Sequence, residues 1–91
     1  MYMKLYSVYD KKAAAYLAPF VMRTDAEAIR AMTSSTEDPN TQFFKTPEDY
    51  QLVSVGEWDD LTGVISSTSV KVIVEVASLR LSVQDRFEQE S

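Results

Sequence analysis

The sequence predicts an α+β fold: a mainly antiparallel sheet of four to five strands, in the order β-β-α-β-β-β, with one helix on a face. Several short segments are rich in β-forming residues. One segment combines a helix start signal with apolar residues at helical spacing. Because a single helix interrupts the succession of strands, most connections suit antiparallel neighbours. We assign residues 1–83 to one domain and residues 84–91 to a polar C-terminal tail.

The first two strands precede the helix. Residues 3–9 are rich in β-forming residues and carry apolar groups on both faces. A polar turn at residues 10–12 leads through a wide loop to a second strand over residues 16–22. Pro19 lacks an amide hydrogen, so this second strand is expected at an edge, or with Pro19 facing away from the ladder.

The helix begins with a capping box. The Thr24 hydroxyl can accept a bond from a first-turn amide, and Glu27 can reach back to the Thr24 amide. Asp25 adds negative charge at the positive end of the helix dipole. The helix is expected to run from Asp25 to about residue 33, because the hydroxyl and Asx residues of 34–40 favour non-helical backbone. Its apolar face comprises Ala28, Ile29 and Met32.

The chain after the helix returns to strands. Residues 41–46 hold two phenylalanines that we expect to cover the sheet or the helix, and residues 47–49 form a turn. Residues 50–58 form a third strand, in which Gly56 indicates a bulge or a close backbone approach. Asp59 can make an Asx turn and Gly63 can take the positive φ that closes a hairpin loop.

The last strands follow this hairpin. Residues 64–65 begin the returning strand, and residues 66–69 form a polar linker. Residues 70–77 are the strongest strand signal, with four valines alternating along one unbroken face. Such a face is either central in the sheet or open to a partner. We therefore expect a homo-oligomer, with a dimer favoured, and its candidate interface residues are Val70, Val72, Val74 and Val76.

Composition removes most enzyme classes. The chain has no cysteine and no histidine, so it lacks disulfides, thiolate metal sites and the commonest general base. With two glycines it has no phosphate-cradling loop. Asp59 and Asp60 are adjacent, but they do not match a calcium-loop pattern and suit a turn instead. We expect a nonenzymatic protein with no catalytic residue, cofactor or metal site.

The net charge of −5 argues against bulk attraction to nucleic acid, although it leaves room for a local basic face. No segment has the length of a membrane span, and the N-terminus lacks a signal-peptide core. We expect a soluble intracellular protein without membrane contact.

Basic residues near aromatic ones form candidate nucleic-acid contacts, because single-strand binders combine cationic grooves with stacking platforms. One group lies in the first hairpin loop, one follows the helix, and two arginines bracket the first helical turns. The candidates for phosphate contact are Lys11, Lys12, Lys45, Arg23 and Arg30, and those for base stacking are Tyr9, Tyr16 and Phe44. The alternative, that the aromatics belong to the core and the cations to a solvated surface, stays open.

Six blocks in fixed order carry a family resemblance. They are YSVYDKK at 6–12, YLAPF at 16–20, DAEAIRA at 25–31, PEDYQL at 47–52, GEWDD at 56–60 and TG at 62–63. Together they resemble the small nonstructural protein of gokushovirus-type microviruses, which are phages with circular single-stranded DNA. The resemblance covers residues 3–65 and supplies no active-site motif.

The resemblance implies a phage protein that is made in the host bacterial cytoplasm and is absent from the mature virion. Such proteins are placed at the switch from duplex replication to single-stranded DNA synthesis and packaging. The leading hypothesis is a nonenzymatic accessory protein of viral DNA replication or packaging that works by binding single-stranded DNA or the replication machinery. The alternative is a protein-interaction module that docks a viral or host replication protein through an acidic surface, without DNA contact. A minor structural or scaffold role is a third hypothesis.

Overall fold

A five-stranded antiparallel sheet with short helices on one face forms the fold. The computed structural model describes residues 1–80, and it confirms the predicted α+β class. The strands are β1 (Tyr2–Asp10), β2 (Ala15–Tyr16), β3 (Phe20–Met22), β4 (Tyr50–Asp59) and β5 (Ile65–Glu75). The helices are α1 (Asp25–Glu37), α2 (Gln42–Lys45) and the 3-10 turn η1 (Pro47–Asp49). Residues 76–80 are also helical. The predicted tail, 84–91, and residues 81–83 lie outside the described residues.

The strand order is β2-β1-β4-β5, and β3 pairs with β1 on the same side as β2. All of these pairs are antiparallel. The predicted second strand is interrupted at residues 17–19 and forms two short strands along β1. Its interruption contains Pro19, which has no amide hydrogen to give to the β1 ladder. β5 is the outer strand on the other side of the sheet.

The core lies between the sheet and α1. Helix α1 contributes Ala28 and Met32, and Thr36 is fully buried on the same helix. The buried apolar cluster also takes residues from both central strands and from the C-terminal helical segment: Tyr6, Val8, Tyr50, Leu52, Val76 and Leu79. None of the helices within residues 1–80 has the length and apolar character needed to cross a membrane.

Helix α1 has the predicted cap and a later end. The Thr24 Oγ1 accepts a bond from the Glu27 amide at 3.2 Å, as expected. The Glu27 carboxylate accepts from the Arg23 amide at 3.3 Å, one residue before the amide that the capping-box pattern predicts. The helix continues to Glu37 rather than ending near residue 33. Hydroxyls in its last turns bond back to helix carbonyls, for example Thr33 to Ile29 at 2.8 Å, instead of competing with the helix.

β5 is one continuous strand, so the predicted polar linker at 66–69 is wrong. Ser66 pairs with Glu57 and Ser67 pairs with Gly56. The serine side chains alone do not predict a strand here, and the pairing with β4 holds the segment in one. Gly56 permits the close approach of β4 and β5, because a Cβ at this position would lie 2.5 Å from the Ser66 carbonyl oxygen. The predicted irregularity at Gly56 is confirmed by a register shift between Ser54 and Gly56.

The predicted unbroken face of valines is also wrong. Val74 pairs with Leu52, whereas Val72 pairs with Val53, so an extra residue in β5 moves the two valines to opposite faces. Val76 is fully buried in the helical segment that follows β5. Val70 and Val72 are about half exposed. The candidate interface of Val70, Val72, Val74 and Val76 is therefore divided between the core and the surface.

Candidate functional site

The first hairpin loop holds four of the candidate residues. Tyr9 and Tyr16 pair across β1 and β2, and their ring centroids lie 4.8 Å apart. Lys11 donates from Nζ to Glu75 Oε1 at 2.6 Å and to the Glu48 carbonyl oxygen at 3.2 Å. Since its ammonium already has two acceptors, Lys11 fastens the loop to the end of β5 and to η1.

Lys12 and the backbone complete this attachment. Lys12 Nζ lies 3.6 Å from Asp49 Oδ2, and the Lys11 amide donates to the Asp49 carbonyl at 2.8 Å. On the other side, Gln51 Nε2 donates to Glu75 Oε2 at 2.6 Å. The Lys11 bond is the main cause of a lowered pKa at Glu75, with Gln51 adding to it. Both loop lysines are thus balanced by carboxylates.

The second group lies on α2, where the two phenylalanines have different roles. Phe43 packs against the core and meets the Tyr50 ring edge-on at 4.9 Å. The Phe44 ring is covered by Arg80, whose Cζ lies 4.0 Å from the ring centroid. Lys45 is exposed and makes no ion pair with any residue of the described range. Arg80 therefore joins the candidate residues, and one face of Phe44 is already occupied by a cation.

The two groups meet at one end of the sheet. Lys45 precedes η1, and η1 carries the Asp49 carbonyl that accepts the Lys11 amide. We call this region the basic end and define it by Lys11, Lys12, Lys45 and Arg80. It also contains acidic side chains, because Glu75 and Asp49 pair with its lysines. The basic end is therefore a surface of mixed charge.

Arg23 does not join the basic end, and Arg30 lies near the middle of α1. Helix α1 starts beside Lys4, because Lys4 Nζ bonds Asp25 at 3.1 Å. The basic end begins after Asp10, six residues further along β1, which corresponds to about 20 Å of strand. Both arginines are exposed. The structure thus separates Arg23 from the loop lysines by the length of β1, and Arg30 lies on the exposed surface of α1.

Sequence reasoning missed a polar cluster where α1 meets β1. The Tyr6 hydroxyl donates to Asp25 Oδ1 at 2.6 Å, and Lys4 binds the same oxygen. The pKa of Asp25 is lowered, first by the Tyr6 bond and then by Lys4. Burial raises the pKa of Tyr6, and the Asp25 carboxylate raises it further. The cluster fastens the start of the helix to the sheet.

An apolar cavity of about 330 Å³ lies between α1 and the β2–β3 side of the sheet. Its lining includes Phe20, Met22, Met32 and Phe43, with Ser35 as a polar member. No titratable side chain lines it, so it offers space for an apolar group and no acid–base chemistry.

The paired aspartates act in the hairpin turn and at the N-terminus. The Asp59 carboxylate accepts the Leu61 amide at 2.9 Å, and this bond is the main cause of its lowered pKa. Asp60 binds the N-terminal ammonium at 3.0 Å, and Gly63 takes the predicted positive φ of 76°. Among residues 1–80, no three acidic side chains are arranged to hold a metal ion.

Comparison with known proteins gives one match. A family model described as Phage ORF5 protein matches residues 3–79, which is most of the chain. No curated protein sequence and no solved structure matches the chain.

Proposed function

Because this chain belongs to the phage ORF5 protein family, we propose that it is a nonenzymatic accessory protein of viral DNA replication. It acts at the switch to single-stranded DNA synthesis and packaging in a gokushovirus-type microvirus. It is made in the host bacterial cytoplasm and stays out of the mature virion. It works by docking a viral or host replication protein through its acidic surface, without contacting DNA. Family membership supports the phage setting, and the six sequence blocks support the replication role.

The ion pairs between lysines and carboxylates favour a protein over DNA as the partner of this chain. Lys4, Lys11 and Lys12 lie 3.1, 2.6 and 3.6 Å from the carboxylates of Asp25, Glu75 and Asp49. A DNA phosphate would have to compete with these partners for the ammonium groups. The net charge of −5 favours a basic protein surface over a polyanion.

The test is recovery of the tagged full chain from phage-infected cells after nuclease treatment. We expect one replication protein at a constant stoichiometry, with retention that falls as salt is added. Glu48→Gln and Glu57→Gln each neutralise an exposed carboxylate, at opposite ends of β4, and Gln42→Ala is the matched control that leaves the charge unchanged. Recovery that disappears with nuclease, or that is unaffected by both glutamate changes, would overturn docking through an acidic surface.

A second candidate function is single-strand binding at the basic end. It is supported by Arg80, which covers one face of the Phe44 ring, and by the exposed Lys45 that follows Phe44 in the chain. Titration with a labelled single strand at two salt concentrations tests it. Lys45→Ala should reduce the salt slope by about 0.7, the value for one lost phosphate contact on a single strand, while Arg23→Ala should not change it. Absence of binding at low salt dismisses this candidate.

A further inference from the structure

The end of the sheet opposite the basic end extends beyond the start of helix α1. The helix meets β1 at Lys4, whose ammonium bonds the first helical residue at 3.1 Å. Tyr2 lies two residues further out and pairs with Asp59, and the Asp59 amide donates to the Val64 carbonyl at 3.0 Å. These contacts bring the start of β1 together with the β4–β5 hairpin. We call this region the hairpin end and define it by residues 1–3 and 57–66.

Exposed apolar side chains are gathered on one side of the hairpin end. Paired residues share a face of a sheet, and neighbours along a strand alternate between its faces. Tyr2 and Val64 both lie opposite Asp59, so all three share the side of the sheet that carries Lys4. Tyr2 is 67% exposed and Val64 is 57% exposed, and Leu61 at the tip of the turn is 84% exposed. Exposed apolar side chains that lie together in this way indicate a contact surface.

Acidic side chains accompany these apolar ones. Asp59 lies between the two strand-borne apolar side chains, Glu57 is the next residue along on the same side, and Asp60 begins the turn. The N-terminal ammonium lies 3.0 Å from Asp60 and balances one of these carboxylates. Lys4 lies opposite Glu57, but its ammonium is bonded to the start of α1. The hairpin end is therefore apolar and net negative at once.

This combination selects the kind of partner that fits the hairpin end. Nucleic acid and anionic lipid are both repelled by carboxylates. A second copy of the chain would bring the same carboxylates together. A basic protein segment that also carries apolar side chains satisfies both parts of the surface. Its cationic groups meet the carboxylates, and its apolar side chains cover Tyr2 and Val64.

We propose that the hairpin end is the docking site for a basic amphipathic segment of a partner protein. The segment lies against the side that carries Tyr2 and Val64, with its cationic groups beside Glu57 and Asp59. The choice of a protein as partner rests on the proposed function. The location of the contact and the chemistry of the segment come from the hairpin end itself.

Variants on the two sides of the hairpin end separate docking from a general loss of apolar surface. Tyr2→Ser and Val64→Ser each remove an apolar side chain from the docking side. Ile65→Ser is the matched control, because Ile65 follows Val64, is 64% exposed and pairs with Trp58 on the opposite side. None of the three substituted residues belongs to the buried core. Circular dichroism checks that each variant is folded.

The probe is a fluorescent peptide of about 14 leucine and lysine residues, which forms a basic amphipathic helix of about four turns. Two matched peptides replace every lysine by glutamate or every leucine by glutamine, so that each keeps only one of the two properties. Fluorescence anisotropy is recorded while the full chain is added up to about 300 µM, because a small contact binds weakly.

The unchanged chain and Ile65→Ser should bind the leucine–lysine peptide with the same Kd. Tyr2→Ser and Val64→Ser should each raise this Kd by about 10-fold, the effect of losing one apolar side chain from a contact. Glu57→Gln should raise it by about two- to fivefold and reduce its dependence on salt, as expected for an exposed charge pair. Neither matched peptide should bind in this concentration range.

The titration can overturn the proposal in several ways. One is that the leucine–lysine peptide does not bind, and another is that the leucine–glutamate peptide binds equally well. The proposal also fails if Tyr2→Ser and Val64→Ser leave the Kd unchanged, or if Ile65→Ser raises it as much as they do.

Recovery from infected cells distinguishes failure at the hairpin end from failure of the proposed function. A partner that is lost with Val64→Ser and kept with Ile65→Ser supports docking at the hairpin end. A partner that is lost with Glu48→Gln but kept with Glu57→Gln and Val64→Ser overturns it, and leaves docking through an acidic surface in place. If the unchanged chain recovers no protein, the proposed function is overturned, and the peptide titration alone decides whether the hairpin end binds a basic amphipathic segment.

Discussion

Replacing Tyr6 by phenylalanine isolates the bond that fastens helix α1 to the sheet. Tyr6 is fully buried, and its hydroxyl donates to Asp25, the first residue of α1, at 2.6 Å. Phenylalanine fills the same space without the hydroxyl, so packing is preserved and only the hydrogen bond is lost. The change in the free energy of unfolding therefore measures that bond.

The magnitude follows from the exposure of its acceptor. A hydrogen bond to a charged group contributes about 1.5–3 kcal/mol. The Asp25 side chain is 42% exposed and keeps its bond to Lys4, so water and the ammonium replace part of the lost interaction. We expect the low end of the range, about 1.5 kcal/mol, which corresponds to a fall in Tm of about 6–12 °C for a domain of this size.

The pH dependence gives a second test of the same bond. The Tyr6 bond lowers the pKa of Asp25 in the folded state. A lowered carboxyl pKa contributes stability above the unfolded value, about 3.9, and this contribution is lost as the pH falls through the folded value. The difference between the unchanged chain and Tyr6→Phe should therefore be complete at pH 7 and should shrink below about pH 4.

Urea unfolding followed by circular dichroism at pH 7 and pH 3 provides the measurement. Tyr9→Phe is the matched control, because Tyr9 is on the same strand and its hydroxyl makes no hydrogen bond within residues 1–80. It should lose less than about 0.5 kcal/mol, as is usual for a surface change. Equal losses in the two variants, or a Tyr6→Phe loss that is the same at both pH values, would refute the reasoning.

Three further substitutions test the backbone. Gly56→Ala should destabilise the fold by about 1–3 kcal/mol in urea unfolding, because the new Cβ would meet the Ser66 carbonyl at 2.5 Å and force β4 and β5 apart. Unchanged stability would contradict the close contact between Gly56 and Ser66. Ala14→Gly should stabilise the fold by about 0.5–1 kcal/mol, seen as a higher Tm, because Ala14 has a φ of 53° that glycine adopts without strain. Thr24→Ala should lower stability by about 1 kcal/mol by removing the acceptor of the Glu27 amide, while Thr24→Ser should restore it.

Features set by a residue's own backbone preferences could be predicted from the sequence. Thr24 caps the helix because its hydroxyl meets an amide three residues away. Gly63 closes the hairpin because it takes a positive φ. The continuity of β5 could not be predicted from the sequence, because Ser66 and Ser67 have weak strand preferences and are held in the strand by pairing with β4. The shift that places Val72 and Val74 on opposite faces is likewise a property of two strands together.

The basic end shows the same division between local and distant signals. Lys11 and Lys45 were recognisable as cations near aromatic residues, and the structure places them at one end of the sheet. Their electrostatic surroundings come from distant parts of the chain. Glu75, which binds Lys11, is 64 residues away, and Arg80 reaches the Phe44 ring across the fold. A single sequence has no local pattern that links such positions.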